Sequence, residues 1–215
     1  LNDYQRACEN AKLAGFDGVE VHGANGYLLD QCLQDGSNKR TDIYGGPIEN
    51  RARLLLNVID IAVDVWGKGR VGVRLSPYGT FNDMNDSDPV ALFTYVFKEL
   101  NKRNIAYVHV IEPRATSAGG GDAIDHDAPS TSALFRPAFN GAFISAGGYT
   151  AETAKAAVAS GQTDAIAFGR LYISNPDLAE RIQRGATLNP YNRATFYGGT
   201  EKGYTDYPFQ SDVAA

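Results

Sequence analysis

The sequence predicts an α/β fold in which helices cover a parallel sheet. Three observations carry the prediction. Five short apolar runs recur along the 215 residues, at 18–22, Val71–Leu75, 106–111, Ala142–Ala146 and 165–168. Their near-continuous apolar character means that both faces of each strand are covered. Stretches of helical periodicity separate them, the alternation that builds βα units around a parallel sheet.

Taken in order, residues 3–13 form a helical pattern that runs straight into the first strand, as a helix following an earlier strand would. Ile48–Trp66 is long and apolar enough for a helix packed on a sheet, with Glu49, Asn50, Arg51 and Arg53 polar at its start. Asp88-Pro89 and Asn175-Pro176 each offer a side-chain acceptor at an N-cap and proline at the first helical position, and Thr150 caps a third helix. Between the third and fourth strands, residues 112–141 form a longer excursion containing Gly119-Gly120-Gly121, the kind of insertion that shapes a site or is disordered. Five βα units do not close the eight-stranded barrel that such units commonly build, so three strands are missing from a (β/α)8 count. An open five-stranded sheet is the alternative, with both outer strands in need of cover.

Composition narrows the function. With 43% hydrophobic and 21% charged residues the chain can bury a sizeable core as one domain, 1–215. A net charge of −5 leaves no basic stripe for nucleic acid, though a compact anion site is still permitted. The longest apolar run, 54–66, is broken by Asn57, Asp60 and Asp64, so no membrane span is expected and the protein reads as soluble. Cys8 and Cys32, both in helical patterns and neither with a CxxC mate, read as packing residues in a reducing cytoplasm; no metal site is expected. The chain starts at Leu1, so a missing signal segment carries little weight.

Chemistry gathers at the C-terminal ends of the strands, where parallel barrels place their sites. The first strand ends in His22-Gly23-Ala24-Asn25-Gly26-Tyr27. His22 and Asn25, aimed at one carbonyl oxygen, would stabilise charge developing on it, and the Tyr27 phenol could deliver a proton. The bland alternative is a satisfied core histidine and an aromatic at a helix start. Arg74 sits alone in an apolar strand and needs an anionic partner, either a cofactor or an acid such as Glu20 or Glu112. The last two strands end in Ser145-Ala146-Gly147-Gly148 and Ala167-Phe168-Gly169-Arg170, small residues that admit an anion to backbone N–H groups or else form ordinary turns.

These residues fall into a wider match. The string Gly18-Val19-Glu20-Val21-His22-Gly23-Ala24-Asn25-Gly26-Tyr27-Leu28-Leu29-Asp30-Gln31, followed by Arg40-Thr41-Asp42, Tyr44-Gly45-Gly46 and Glu49-Asn50-Arg51, resembles the Old Yellow Enzyme family of ene-reductases. Arg74-Leu75-Ser76-Pro77, Phe168-Gly169-Arg170, Ser174-Asn175-Pro176-Asp177-Leu178 and Thr195-Phe196-Tyr197 continue the match in order over nearly the whole chain.

The resemblance implies a (β/α)8 TIM barrel holding FMN, reduced by NADPH or NADH, which reduces the activated C=C bond of an α,β-unsaturated carbonyl or nitro compound. His22 and Asn25 match the pair that binds the substrate oxygen, and Tyr27 the proton donor to the α-carbon. Arg74 matches the arginine at the flavin pyrimidine edge, where its charge favours the anionic reduced flavin. Gly147, Gly148, Gly169 and Arg170 match the phosphate turns, and Phe81 and Tyr197 the substrate side of the site. The match begins inside the helix before the family's fourth strand. Its first and third strands, which also contact the flavin, have no counterpart here, so the partner implied besides the small substrate is the set of N-terminal strands, in cis or in trans. Cys32 stands where relatives commonly carry phenylalanine.

A catalytically incomplete half-barrel scaffold without stable flavin binding is the competing reading. A third, a related flavin barrel acting on dienoyl thioesters or as an NADH oxidase, is disfavoured in its dienoyl-thioester form, because two cysteines cannot ligate an iron–sulfur cluster.

Overall fold

The computed structural model describes residues 1–115, 123–125 and 127–213. Five parallel strands form one sheet in sequence order: β1 (Val19–Gly23), β2 (Val71–Leu75), β3 (Tyr107–Ile111), β4 (Ala142–Ala146) and β5 (Ala165–Ala167). The five expected runs are these strands to within a residue at each end, and Gly119-Gly120-Gly121 lies outside the described residues. The chain divides into two compact units, Leu1–Ile166 and Ala167–Ala215, described separately below.

In the first unit, α1 (Asn2–Leu13), α2 (Leu28–Leu33), α3 (Ile48–Trp66), α4 (Pro89–Arg103) and α5 (Thr131–Phe135) are joined side by side, with α2, α3 and α5 also packed on the strands. α3 forms where Ala52, Leu55, Ile59, Ala62 and Trp66 recur at helical spacing, and every one of them is buried. It ends at Gly67, whose φ of +83° a side chain would resist. α4 starts as the sequence indicates: Asp88 accepts from the Ala91 N–H at 2.9 Å with Pro89 at the first position, and Asn104 closes it in the left-handed region. Its buried Phe97 stacks on Phe135 at 5.2 Å and on Phe143 of β4 at 6.0 Å, so three aromatic rings tie α4 and α5 to the sheet.

The two faces of the sheet differ. Val21, Val71, Val73, Leu75, Val108, Val110 and Phe143 point into the helical layer and are buried. Alternation then places Glu20, His22, Arg74, Tyr107, His109 and Ile144 on the opposite face, where they are half-buried or exposed. Within the first unit, the described helices cover one of the two faces expected to be covered.

Thr150 caps α6 (Ala151–Ala159) in a reciprocal box with Thr153. Asn175-Pro176 is not a helix start: it lies in the link between α7 (Arg170–Ser174) and α8 (Leu178–Arg184), whose N-cap is Asp177. The Asn175 carboxamide is engaged elsewhere, donating to the Leu171 carbonyl at 2.9 Å and accepting from the Asn189 N–H at 2.7 Å. Asp177 accepts from Arg181 at 2.6 Å and from the Gln210 N–H at 2.8 Å, which orders the second unit internally. Cys8 is buried and Cys32 only half-buried, and burial pushes both thiols up, so both stay protonated as packing residues do.

Candidate active site

The first strand delivers its polar residues through a turn whose backbone is held from beneath by Asp30. This carboxylate is fully buried and accepts from the Gly26 N–H at 2.9 Å, Gln34 Nε2 at 2.8 Å and Ser76 Oγ at 3.1 Å. Ser76, just past β2, accepts in turn from the Asn25 N–H at 2.8 Å. The turn requires left-handed backbone at Asn25 (φ +59°) and Gly26 (φ +69°). At Gly26 a Cβ would stand 2.6 Å from both Asn82 Cβ and the Phe81 carbonyl oxygen, so only glycine lets the loop after β2 close over it. Asn82 then donates to the Asn25 carbonyl at 3.1 Å.

This frame brings His22, Asn25, Tyr27, Arg74 and Phe81 together at the C-terminal end of β1 and β2. The His22 and Tyr27 rings lie 5.5 Å apart, with Tyr27 exposed at the N-cap of α2. Partial burial, and then the neighbouring Arg74 charge, pull His22 below its usual range, so it is neutral at pH 7 and can donate one N–H to an oxygen. Phe81 is partly exposed on the loop that caps the turn.

Arg74 is half-buried, and its Nε–H is buried without a hydrogen-bond partner. Neither acid offered for it by the sequence closes the account. Glu112 accepts from the Thr131 and Ser132 N–H groups, at 2.8 and 3.1 Å, and from Ser145 Oγ at 3.0 Å, stapling α5 to β4. Glu20 accepts from His109 Nδ1 at 3.1 Å and also from Tyr107. Burial raises Glu20, but the hydrogen bonds from His109 and Tyr107, and then the nearby Arg74 charge, outweigh it and hold the carboxyl below its usual range; that charge gives Arg74 an acidic neighbour but no hydrogen-bond partner for its Nε–H. A buried guanidinium N–H left unsatisfied is the signature of a site built for an absent anion or carbonyl, so the residues present fit a cofactor's polar edge here.

After β4, Gly147 and Gly148 turn at φ +109° and +66°. Arg114 stacks on Tyr149 at 4.1 Å and its Nε donates to the Gly147 carbonyl at 3.0 Å, so the turn carries a cation that its glycine pattern does not announce. In the second unit Gly169 is the N-cap of α7, Arg170 its first residue, and Tyr197 is 76% exposed. Sequence reading also missed Asp30 and Ser76, which lay inside quoted motifs but carry no chemistry of their own, and His109, whose signal was a period-2 alternation of Tyr107, His109 and Ile111.

A family model described as NADH:flavin oxidoreductase / NADH oxidase matches residues 1–189. The chain belongs to the Old Yellow Enzyme family. It is 49% identical to 12-oxophytodienoate reductase 2 of Arabidopsis thaliana, over 100% of this chain and 56% of that protein. It is equally similar to 12-oxophytodienoate reductase 1 of Oryza sativa subsp. japonica, at 49% over 99% of this chain and 56% of the relative. Morphinone reductase superposes with a TM-score of 0.89 at 45% identity, covering 100% of this chain and 56% of that one, and has also been solved in complex with tetrahydroNAD. The chain thus spans little more than half the length of these Old Yellow Enzyme relatives, and its five βα units are a partial TIM barrel. Among the described residues no helix is long and apolar enough to cross a membrane and no cluster could hold a metal ion.

Gly26→Ala is expected to cost on the order of 2–4 kcal/mol, from left-handed strain plus overpacking against Asn82, read by equilibrium urea unfolding. A loss below about 0.5 kcal/mol would mean that the loop after β2 relaxes freely. The His22 ring protons should titrate by NMR below 6.5, and Arg74→Met should raise that midpoint; an unmoved midpoint would remove Arg74 as a cause.

Proposed function

We propose that the barrel containing this chain is an FMN-dependent ene-reductase. It takes hydride from NADPH or NADH and delivers it to the activated C=C bond of an α,β-unsaturated carbonyl or nitro compound. The observation that carries this reading is the turn after β1, which gathers two hydrogen-bond donors and a phenol beside an arginine whose Nε–H has no partner. Membership of a flavin oxidoreductase family supports it.

In this reading the Arg74 guanidinium would hold the flavin's polar edge, and the Gly147-Gly148 turn would admit its phosphate to backbone N–H groups. Gly169 and Arg170 are proposed for phosphate on their motif alone. When bound, FMN supplies the hydride. Neutral His22 donates an N–H to the substrate oxygen, the Asn25 carboxamide adds a second donor, and together they stabilise the charge that grows there as the β-carbon is reduced. Tyr27 delivers its phenolic proton to the α-carbon and is reprotonated from solvent, to which it is exposed. Phe81 lines the substrate side, and Tyr197 is proposed for it on its motif alone. The complex of morphinone reductase with tetrahydroNAD supports a nicotinamide as reductant.

A second reading is favoured by one observation: the face of the sheet bearing Glu20, His22 and Arg74 is not closed over by the first unit's helices. The chain standing alone is then a scaffold that binds flavin only when further strands complete the barrel, in cis or in trans.

Adding FMN to the purified chain, removing the excess and recording the visible spectrum separates the two readings. A retained band bleached by NADPH or NADH and restored by an unsaturated ketone is the first reading's outcome; a band recovered only with N-terminal strands supplied is the second's. No band in either preparation would sink both. In the active barrel, Tyr27→Phe should slow alkene reduction about 10²–10⁴-fold while flavin reduction by the nicotinamide stays near wild type. Equal loss in both half-reactions would take Tyr27 out of the proton-donor role.

A further inference from the structure

The inner face of the sheet holds a second row of polar groups that the proposed chemistry does not use. Glu20, Gly72 and Tyr107 are register neighbours across β1, β2 and β3, and one step further along lie His22, Arg74 and His109. Gly72 leaves the space over which Tyr107 reaches: a Cβ there would meet the phenol ring at 2.2 Å. Tyr107 and His109 both converge on the Glu20 carboxylate, and burial followed by the Glu20 charge pushes the Tyr107 hydroxyl up to about 12, so it remains a donor.

Glu20 is ionised and only accepts hydrogen bonds, so the His109 nitrogen facing it, Nδ1, carries the proton. In the neutral ring this makes Nε2 a lone-pair acceptor, and that atom is buried with no partner. On the adjacent strand, directly in register, the Arg74 Nε–H is a donor that is also buried with no partner. Neighbouring strands run about 4.8 Å apart, so the two side chains are immediate neighbours on that face. An orphaned acceptor and an orphaned donor thus stand side by side on one face.

We propose that His109 is a positioning residue for Arg74: Glu20 and Tyr107 fix the imidazole with Nε2 toward β2, and that lone pair receives the Arg74 Nε–H when the guanidinium turns its terminal nitrogens to the cofactor. This rests on the flavin reading of the site. The match is one of geometry, because a guanidinium anchored at Nε presents its two terminal nitrogens in a fixed fork to a planar polar edge. Lysine at 74 could not be held in this way.

The test is a double-mutant cycle in the complete FMN-binding barrel, read as the FMN dissociation constant. His109→Phe keeps a ring of similar size but removes both nitrogens, and is expected to weaken FMN about tenfold, while His109→Gln, which retains an acceptor, stays within about threefold of wild type. In an Arg74→Met background His109→Phe should add less than about twofold, since its effect passes through Arg74. A full tenfold loss in that background would make His109 a direct ligand or a merely structural residue and overturn the proposal, as would wild-type affinity in His109→Phe itself. Nitrogen-15 NMR of the wild-type histidines supplies a check that needs no variant to fold: Nε2 of His109 should be unprotonated and hydrogen-bonded in the FMN complex, and a protonated Nε2 overturns the idea. Failure of the wild-type barrel to bind FMN at all would instead bring down the flavin reading.

Discussion

The site depends on one buried carboxylate. Asp30 lies beneath the turn after β1; burial raises its pKa on balance, opposed by hydrogen bonds from the Gln34 side chain, the Gly26 N–H and Ser76 that favour the charged form. Each of those bonds also does structural work. The Gly26 bond fixes a left-handed backbone that other residues resist, and Ser76 carries the constraint across to the end of β2 while receiving the Asn25 N–H. The residues that would bind and protonate a substrate are therefore held by the same group that registers their strand against the one bearing Arg74. A second buried anchor keeps the surrounding loops in place: Arg51 pairs with Asp86 at 2.5 Å and donates from Nε to the Gly46 carbonyl at 3.0 Å.

Asymmetry between the two faces of the sheet explains why those anchors lie where they do. On the helical face, aliphatic and aromatic side chains exclude water, and each fully buried one contributes about 1.5–3 kcal/mol. On the other face, three strands present an acid, two imidazoles, a phenol and a guanidinium that no apolar layer could bury without cost. Glu20, Tyr107 and His109 satisfy one another in part. Arg74 Nε and His109 Nε2 are each buried there without a partner, and Arg74 is the group proposed to meet a ligand. Cofactor and substrate would thus enter on the polar face, while stability is generated on the opposite one.

Much of this was legible in the order of residues. The α3 helix could be read end to end because its apolar repeat is long enough to outweigh any local competitor, and Asp88-Pro89 was read correctly because its side chain has no better partner than the first turn of α4. Asn175-Pro176 carries the same local signal and was misread. Its carboxamide finds Leu171 and Asn189, and the helix starts two residues later at Leu178. A cap is a competition for hydrogen bonds, and the winning partner, Asn189, lies 14 residues away.

By itself the sequence determined the five strands, the main helices and the identity of the groups at the strand ends. These follow from local periodicity, and from motifs in which the reacting residues are neighbours along the chain. Tertiary structure alone decided what those groups are bonded to: that Glu112 is consumed by α5 and β4, that Glu20 belongs to His109 and Tyr107, and that Arg74 is left with an unpaired donor. Those facts depend on strand register, which sets an arginine at 74 beside a histidine at 109, and register is fixed by packing between segments that the sequence keeps far apart.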